Sequence, residues 1–305
     1  NLIVIKMSGR RGVYIVKLLS YLDGNETKVG ILQDNKVIDV SDEFPDVLSI
    51  IKAGSSGINQ ISRIINNAEG KSLNNEHLLS PIPKLERNII CVGWNYLEHF
   101  NERHRLDIEL PDFPTVFTKA TETIAGPYES IPLSEHFTQK LDYEAELPVV
   151  IGRKGKNISE KEASDYIFGY MCANDLSARD VQQSHGGQWF MGKSMDKSCP
   201  AGPWIVTKDE IDDVQSLEIS CKVNGETVQF SNTSLMIFSI NRIISDISKA
   251  MTIMPGDIIL TGTPSGIGSK RNPPLLLKPD DVVEVHIEQI GSIKNRIIKE
   301  YIRLF

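Results

Sequence analysis

LDYEAELPVVI, at residues 141–151, places three acidic residues at alternate positions and follows them with an apolar run. Successive side chains of a β-strand point to opposite faces, so Asp142, Glu144 and Glu146 are expected on one face of a strand. Carboxylates that share a face repel one another unless a cation joins them, and hard divalent cations prefer oxygen ligands. A metal site is one interpretation and a solvated edge strand is the other. This stretch alone leaves both open.

Outward from this stretch, short apolar segments alternate with turn signals, which is typical of many β-strands. We predict strands at 88–93, 114–118, 142–151, 167–173, 203–207, 217–223, 226–230, 256–261, 281–288 and 293–300. Asn224-Gly225 predicts a two-residue hairpin turn. A helix is predicted over 235–250, with one apolar face formed by Ile237, Ile240, Ile243, Ile244 and Ile247. Many strands with few, separated helices argue against regular βαβ alternation and indicate an α+β fold.

The first 80 residues predict a smaller α+β unit. Strands are expected at 15–22, 28–33 and 36–40, and residues 45–67 carry apolar side chains at helical spacing. Pro81-Ile82-Pro83 breaks any regular element. We therefore predict a small N-terminal domain over 14–80 and a larger domain over 84–305.

Two features of the sequence bear on the compartment. Residues 1–13 could suggest a targeting signal, because Arg10-Arg11 precedes an apolar stretch. Lys17 interrupts that stretch and no small-residue cleavage site follows, so we interpret 1–13 as an untargeted extension. The four cysteines lie far apart without a CxxC pair, which favours a reduced, cytoplasmic protein whose thiols are mostly buried.

The composition excludes several classes of protein. Of the 305 residues, 40% are apolar and 24% are charged, which is ordinary for a globular protein and excludes a disordered or collagen-like chain. No stretch approaches the roughly 18 consecutive apolar residues of a membrane helix. The formal net charge of −7 makes general nucleic-acid binding a poor interpretation, since phosphate binding needs clustered positive charge.

A further carboxylate follows the strand predicted at 167–173. The sequence there is ANDLSARDVQ, at residues 173–182, with Asp175 at the predicted end of the strand. A carboxylate at this end would complete a site of three oxygens and leave positions open for substrate. A helix N-cap at Asn174 or Asp175 explains the same residues equally well.

VGWNYLEHFNE, at residues 92–102, contains a histidine and a glutamate three positions apart. On a helix, His99 and Glu102 share a face. A carboxylate beside an imidazole orients it and raises its basicity, which suits a general base acting on water. The alternative is a plain surface pair.

The small residues of IILTGTPSGIG, at residues 258–268, follow a buried strand. Backbone N–H groups and the hydroxyl of Thr263 could approach an anionic group closely there. No Gly-Lys-Ser/Thr follows, so this is not a Walker A loop, and a simple strand-to-loop turn is the alternative. Lys193, in MGKSMD, has no interpretation on its own.

Taken together and in order, these motifs resemble the fumarylacetoacetate hydrolase family. The resemblance runs over residues 88–300, about 70% of the chain, and adds GKSMDKSCPAGPW and MIFSI to the motifs above. Within the family, the chain most resembles the bacterial oxaloacetate decarboxylases and acylpyruvate hydrolases, which act on small 2-oxo acids. The resemblance implies an α+β fold, a mixed β-roll catalytic domain preceded by a small α+β domain, and a homodimer.

The resemblance also implies roles for particular residues. The metal ligands, for Mg²⁺ or Mn²⁺, would be Glu144, Glu146 and Asp175. The catalytic residues would be the water-activating lid dyad His99 and Glu102, together with Lys193. Gln182 and Thr263 would bind substrate, and Arg179 would support the structure. Trp94 and Lys119 receive no role.

These roles lead us to expect a divalent-metal-dependent enzyme that cleaves a C–C bond of a small 2-oxo acid through a metal-bound enolate. Hydrolysis of an acylpyruvate and decarboxylation of oxaloacetate both fit. Isomerisation of an unsaturated 2-oxo diacid, such as 5-carboxymethyl-2-hydroxymuconate, is an alternative. A non-catalytic protein that binds a metal or metabolite is the alternative from another class. The expected partner is the small substrate, with no nucleic acid and no membrane.

Overall fold

The computed structural model describes residues 17–66, 68–103 and 109–300, so the predicted extension at 1–13 lies outside the described residues. The β-strands, in chain order, are β1 (Lys17–Asp23), β2 (Glu26–Gln33), β3 (Lys36–Asp39), β4 (Leu78–Leu79), β5 (Ile89–Gly93), β6 (Thr115–Lys119), β7 (Ile124–Ala125), β8 (Ile131–Leu133), β9 (Leu141–Asp142), β10 (Ala145–Glu146), β11 (Pro148–Ile151), β12 (Ile167–Asn174), β13 (Ser177–Ala178), β14 (Cys199–Thr207), β15 (Glu218–Val223), β16 (Glu226–Asn232), β17 (Ile258–Leu260), β18 (Val282–Ile287) and β19 (Gly291–Lys299). The α-helices are α1 (Val47–Ala53), α2 (Ser55–Ile65), α3 (Leu97–Arg103), α4 (Arg179–Ser184), α5 (Phe190–Lys193) and α6 (Ile240–Ala250). Short 3-10 turns lie at Asn75–His77, Thr121–Thr123, Ala163–Tyr166, Lys208–Glu210, Val214–Ser216, Thr233–Leu235 and Gly268–Lys270.

A long mixed sheet forms the main layer of the fold. Its strands follow the order β3-β2-β1-β14-β12-β11-β17-β5-β6, and β4, β7 and β10 pair at its margins. A second sheet has the order β16-β15-β18-β19-β8, and β9 pairs with β13. The pairs β5–β17, β7–β14 and β8–β19 are parallel, and the neighbouring pairs around them are antiparallel. This arrangement confirms the α+β class predicted from the sequence.

The small first unit shares both a sheet and a core with the rest of the chain. Its strands β1, β2 and β3 form the antiparallel meander that the sequence predicts. The meander continues into the large sheet, because β1 pairs with β14 and places Leu18 opposite Ile205. One apolar cluster contains Ile50 of α1 together with Ile258 of β17. The division into two domains stays a prediction.

The hairpin predicted at Asn224-Gly225 joins β15 to β16. Asn224 has a φ of 52° and Gly225 has a φ of 87°. Both residues are therefore left-handed, as a two-residue hairpin turn of type I′ requires. The turn residues alone predicted this local structure, because few sequences tolerate two successive positive φ angles.

Helix α6 begins five residues later than the sequence predicts. Ser239 caps it, and its Oγ accepts a hydrogen bond from the N–H of Arg242 at 3.2 Å. Ile237 lies before the helix, and its N–H donates to the carbonyl of Asn95 at 2.7 Å. The predicted start at 235 was wrong. The Ser239 cap fixes the first turn of the helix, and the contact of Ile237 with Asn95 keeps the preceding residues out of it. The buried isoleucine face is confirmed for Ile240, Ile243, Ile244 and Ile247.

Residues 142–151 form three short strands instead of one. The N–H of Tyr143 donates to the Asp142 carboxylate at 2.9 Å, and the N–H of Glu144 donates to Asn174 Oδ1 at 2.9 Å. These amides bond to side chains and not to a neighbouring strand. The alternation of faces is therefore interrupted between β9 and β10, which decides where the acidic side chains lie.

Two features suggested by the composition can be seen in the structure. The four cysteines are free and buried, as predicted. Burial raises the pKa of each thiol, to about 12 for Cys199, so these groups are poor nucleophiles. Within the described part of the chain, no helix has the length and apolar character needed to cross a membrane.

Candidate active site

Three buried carboxylates converge beside the large sheet. Glu144 precedes β10, Glu146 ends it, and Asp175 follows β12. β10 pairs with β12, with Ala145 opposite Asn174, and this register brings the three acidic residues together. One carboxylate oxygen from each lies within 4.8 Å of the other two. The structure thus assembles the three residues that the resemblance assigned to a metal.

Asp142 does not belong to this group. Its carboxylate accepts hydrogen bonds from the N–H groups of Gly268 at 2.7 Å and Ser269 at 3.0 Å, and pairs with Arg179 Nε at 2.8 Å. The prediction that Asp142 shares a face with the two glutamates was wrong, because the strand is broken after it. Asp142 instead connects the loop after β17 to helix α4.

Two buried ammonium groups offset part of the carboxylate charge. Lys193 Nζ lies 2.7 Å from Glu144 Oε2 and 2.6 Å from Asp175 Oδ2. Lys119 Nζ lies 2.7 Å from Asp175 Oδ1 and donates to the carbonyl of Leu176 at 3.2 Å. Both lysines are buried. Lys119, which received no role from the sequence, therefore belongs to the charge network of the site.

Arg179 connects several side chains around the acidic group. Its Nη2 lies 2.6 Å from Glu144 Oε1, and its Nη1 donates to Gln182 Oε1 at 3.2 Å. Arg179 and Gln182 lie on α4. These contacts orient Glu144 and leave the amide N–H₂ of Gln182 available to a ligand in the cleft that it lines.

The buried charges of this cluster do not balance when all are ionised. Four carboxylates face three cations, which leaves one negative charge in excess: Asp142, Glu144, Glu146 and Asp175 against Lys119, Arg179 and Lys193. Glu146 is the carboxylate that forms no ion pair with any described residue. Its Oε2 accepts a hydrogen bond from the N–H of Gly262 at 2.7 Å.

The pKa values of the two glutamates move in opposite directions. Burial, together with the charges of Asp175 and Glu144, raises the pKa of Glu146 well above its ordinary value. Burial also disfavours ionised Glu144, but the charges of Lys193 and Arg179 outweigh burial and hold its pKa below the ordinary value. Glu146 is thus the carboxylate that most readily takes up a proton when no cation is bound, and protonation there would remove the unbalanced charge.

This set of donors fits a divalent cation. Oxygen ligands lie roughly 2.0–2.6 Å from Mg²⁺ or Ca²⁺, so ligand atoms within 4.8 Å of one another can surround one ion. A cation held by Glu144, Glu146 and Asp175 would offset the excess negative charge. An all-oxygen set suits Mg²⁺ or Mn²⁺ better than metals that prefer nitrogen or sulfur. Three protein ligands also leave coordination positions for substrate oxygens.

His99 and Glu102 lie on α3 beside the same cleft. His99 Nδ1 is 3.2 Å from Glu102 Oε2, and Glu102 Oε1 accepts a hydrogen bond from the N–H of Gly266 at 2.9 Å. His99 is only 4% exposed and lines the cleft together with Glu144. A carboxylate on Nδ1 orients the ring and leaves Nε2 for a ligand. His99 therefore lines the same cleft as Glu144, with Glu102 behind it, and a catalytic role for the pair stays a prediction.

The loop after β17 closes another side of the cleft. Thr263 is buried there, and its Oγ1 accepts a hydrogen bond from Gln229 Nε2 at 2.9 Å, so the hydroxyl proton remains available for a ligand. Gln229 also accepts from the N–H of Ala145 at 3.0 Å. Gln229 thereby connects this loop to the acidic strand β10. Sequence reasoning missed it, because a glutamine within a predicted strand carries no signal of its contacts.

One cleft collects most of these groups. It is lined by Val92, Gly93, Trp94, His99, Phe117, Glu144, Glu146, Arg179, Gln182, Trp189, Lys193, Thr263 and Ile267. Of the predicted site residues, Asp175 lies behind Lys193 and Glu102 lies behind His99. Phe117 and Trp189 were not predicted, and aromatic residues in a strand or loop are more often part of the core.

We expect Asp142→Asn to destabilise the protein while leaving the metal ligands in place. The substitution keeps the shape of the side chain but removes the charge that faces buried Arg179. Loss of one partner from a buried ion pair costs about 3–5 kcal/mol. Urea denaturation should show a fall of that size in the free energy of unfolding, and Mn²⁺ titration should still show one ion per chain.

The matched control is Asp280→Asn, which removes the same charge from an exposed pair with Arg296. Exposed pairs contribute about 0–1 kcal/mol, so this variant should remain close to the unchanged protein. Equal stability of Asp142→Asn and Asp280→Asn would contradict the structural role of Asp142.

Comparison with known proteins places this geometry in a family. Residues 88–298 match the family described as Fumarylacetoacetate (FAA) hydrolase C-terminal. The chain is 41% identical over 284 residues to the mitochondrial oxaloacetate tautomerase fahd2 of Xenopus laevis, covering 90% of this chain and 88% of the relative.

Two solved structures have a similar fold. The fumarylacetoacetate hydrolase of Exiguobacterium antarcticum has a TM-score of 0.83 and 34% identity, covering 93% of this chain and all of that chain. The maleylpyruvate hydrolase of Sphingobium sp. SYK-6, solved with manganese (II) and pyruvate, has a TM-score of 0.77 and 25% identity. The match covers 93% of this chain and 100% of that chain. These similarities confirm the predicted fold. The chain belongs to the fumarylacetoacetate hydrolase family.

Proposed function

We propose that this protein is a metal-dependent enzyme that interconverts the keto and enol forms of oxaloacetate or of a 2-oxo acid of similar size. The observation that carries the proposal is an oriented imidazole and a buried ammonium group in one cleft, His99 and Lys193. The imidazole can move a proton, and the ammonium group can stabilise charge on oxygen. The activity named for the Xenopus relative is this reaction on oxaloacetate.

The proton would move between carbon and oxygen through His99. Its Nε2 would take a proton from C3 of the keto acid. The electron pair of that C–H bond would form the C2–C3 double bond, and the π pair of the 2-oxo group would move onto its oxygen. The imidazolium would then return the proton to the oxygen at C2, which completes the enol. Glu102, beside Nδ1, would stabilise the imidazolium while it carries the proton.

The other cleft residues would bind and orient the acid. Lys193 would donate to the oxygen that gains charge, and this donor is preorganised because two carboxylates already hold it. Gln182 and the hydroxyl of Thr263 would donate to a carboxylate of the substrate. A divalent cation held by Glu144, Glu146 and Asp175 would supply Lewis-acid polarisation of the 2-oxo group.

Cleavage of a C–C bond is the second candidate function. The dyad of His99 and Glu102 could equally activate a water, as hydrolysis of an acylpyruvate requires. The similarity to a maleylpyruvate hydrolase supports this alternative. Decarboxylation of oxaloacetate would break a C–C bond without an attacking water. Tautomerisation needs proton transfer only, with no attacking water, and the relative with that name is the more similar in sequence. Isomerisation of an unsaturated 2-oxo diacid would use the same proton transfer.

One assay separates these reactions. Freshly dissolved enol-oxaloacetate should lose its ultraviolet absorbance faster with the Mn²⁺-loaded protein than without it, and EDTA should remove the acceleration. In deuterium oxide, ¹H NMR should show exchange at C3, while a coupled assay should detect little pyruvate. Pyruvate formed as fast as the enol disappears would instead support decarboxylation. Mn²⁺ binding without turnover of oxaloacetate or acylpyruvates would support the non-catalytic alternative.

A further inference from the structure

Three aromatic rings form one wall of the cleft. The ring centroids of Phe117 and Trp189 are 5.0 Å apart, and those of Trp189 and Trp94 are 4.8 Å apart. Lys193 Nζ lies 5.2 Å from the centroid of Phe117. The wall therefore begins at Phe117, beside the buried charges, and continues through Trp189 to Trp94. All three residues are half-buried and line the cleft, so the wall reaches its mouth. We call these three residues the aromatic wall.

The backbone of Trp94 is strained, and this conformation holds its ring in the aromatic wall. Trp94 has a φ of 55°, a left-handed conformation that bulky residues rarely adopt. Such a conformation persists where the surrounding structure imposes it, and it occurs most often at functional sites. Gly93 contributes as well, because a Cβ there would lie 2.7 Å from the ring of Trp189. A side chain at position 93 would push the wall apart.

The next residue anchors this strained turn. Asn95 is fully buried, and its Nδ2 donates to the carbonyls of Thr261 at 2.8 Å and Phe238 at 3.0 Å. Its Oδ1 accepts from the N–H of Phe238 at 2.8 Å. With Asn95 held by three hydrogen bonds, the chain before it has little freedom. Trp94 is thus directed toward Trp189 at the expense of its preferred backbone conformation.

We infer that the aromatic wall limits the cleft to short 2-oxo acids and excludes acids with a bulky group at the end remote from the 2-oxo carboxylate. The inference rests on the proposed function and specifies its substrate class. The 2-oxo end would lie beside Lys193, so the remote end must point toward the mouth. Trp94 and Trp189 meet edge to face, at 81°, so they pack on each other and narrow the mouth.

The test compares two ligands that share one head group. Oxalate and oxanilate both present a carboxylate beside a second carbonyl carbon. In oxanilate that carbon belongs to an amide with a phenyl group at the remote end, so it has one negative charge fewer, and the comparison therefore uses the ratio of the two affinities in each variant. Their affinities for the Mn²⁺-loaded protein are measured by calorimetry for the unchanged protein, Trp94→Gly, Trp94→Ala and Phe190→Ala. Phe190 is the control, because it is an exposed aromatic residue next to Trp189 that does not line the cleft.

We expect the unchanged protein to prefer oxalate. Both substitutions of Trp94 should raise the affinity for oxanilate relative to oxalate by about 10–200-fold, the range over which a change as small as one methylene group alters discrimination by a pocket. Phe190→Ala should leave that ratio unchanged. Trp94→Gly should also unfold at a higher temperature than Trp94→Ala, because only glycine adopts a positive φ without strain.

Each contrary result has a separate meaning. Suppose that Trp94→Gly still binds oxalate, but its affinity for oxanilate relative to oxalate is the same as, or lower than, that of the unchanged protein. That result would overturn this inference and leave the proposed function standing. A higher unfolding temperature for Trp94→Ala than for Trp94→Gly would overturn the strain argument on which the wall depends. No oxalate binding to the unchanged protein in the presence of Mn²⁺ would overturn the proposed function, and this inference with it.

Discussion

Glu146→Gln should weaken Mn²⁺ binding by more than about 100-fold while the metal-free protein keeps its fold. Glu146 is the carboxylate that lacks a cationic partner among the described residues, so a cation would gain most from its charge. Changes to residues that only orient metal ligands already cost about 10–100-fold in affinity, so loss of a direct ligand should cost more. Titration with Mn²⁺ followed by electron paramagnetic resonance measures this affinity without reference to turnover.

The metal-free variant gives a second readout. Glutamine has the size of glutamate and carries no charge, and the raised pKa of Glu146 already favours an uncharged carboxyl beside Asp175 and Glu144 when no cation is bound. We therefore expect its free energy of unfolding to equal or exceed that of the unchanged metal-free protein. The matched control is Glu98→Gln, an exposed glutamate on α3, which should alter neither quantity. Undiminished Mn²⁺ binding by Glu146→Gln would remove this residue from the metal site.

The sequence predicted best those features that depend on neighbours along the chain. The positive φ angles of Asn224 and Gly225 are a local property, and the hairpin lies where they place it. The isoleucine face of α6 is periodic and buried as expected. The start of α6 was missed because Ser239 and the contact of Ile237 with Asn95 compete with a longer helix, and this contact joins residues 142 positions apart.

The residues of the candidate site were also predicted best where the signal lies in neighbouring residues of the chain. Alternation along a strand suggested that Glu144 and Glu146 act together. For Asp175, which follows another strand, the local sequence left a third ligand and a helix N-cap equally open, and the family resemblance favoured the ligand. Asp142 was misplaced because its partners, the N–H groups of Gly268 and Ser269, lie more than 120 positions away and pull it out of the strand pattern. No local pattern reveals a contact of that kind.

Lys119 illustrates a further limit of sequence reasoning. A lysine in a strand is ordinarily expected to face water, and full burial requires a charged partner. That partner is Asp175, 2.7 Å away, and the two residues become neighbours only in the folded chain, because Lys119 ends β6 and Asp175 follows β12. The charge balance of the site is therefore a property of the folded chain, and it could be counted only after the buried residues were known.

His99→Ala should slow the tautomerisation of oxaloacetate by roughly 10²–10⁴-fold, the usual contribution of a positioned general base. Alanine removes the nitrogen that carries the proton and leaves Glu102 without the imidazole at 3.2 Å. The decay of enol absorbance and the exchange of deuterium at C3 should slow together. Mn²⁺ affinity should change far less, because His99 is not one of the three carboxylate ligands.

Two further variants distinguish proton transfer from closure of the cleft. Glu102→Gln should slow the reaction less than His99→Ala, since a neutral amide can still orient the ring but stabilises the imidazolium less. Asn101→Ala, at an exposed position on the same helix, should have no effect. If all three variants slowed the reaction equally, α3 would act through its position against the loop at Gly266. A loss confined to His99 and Glu102, with metal binding retained, requires that the dyad itself moves the proton.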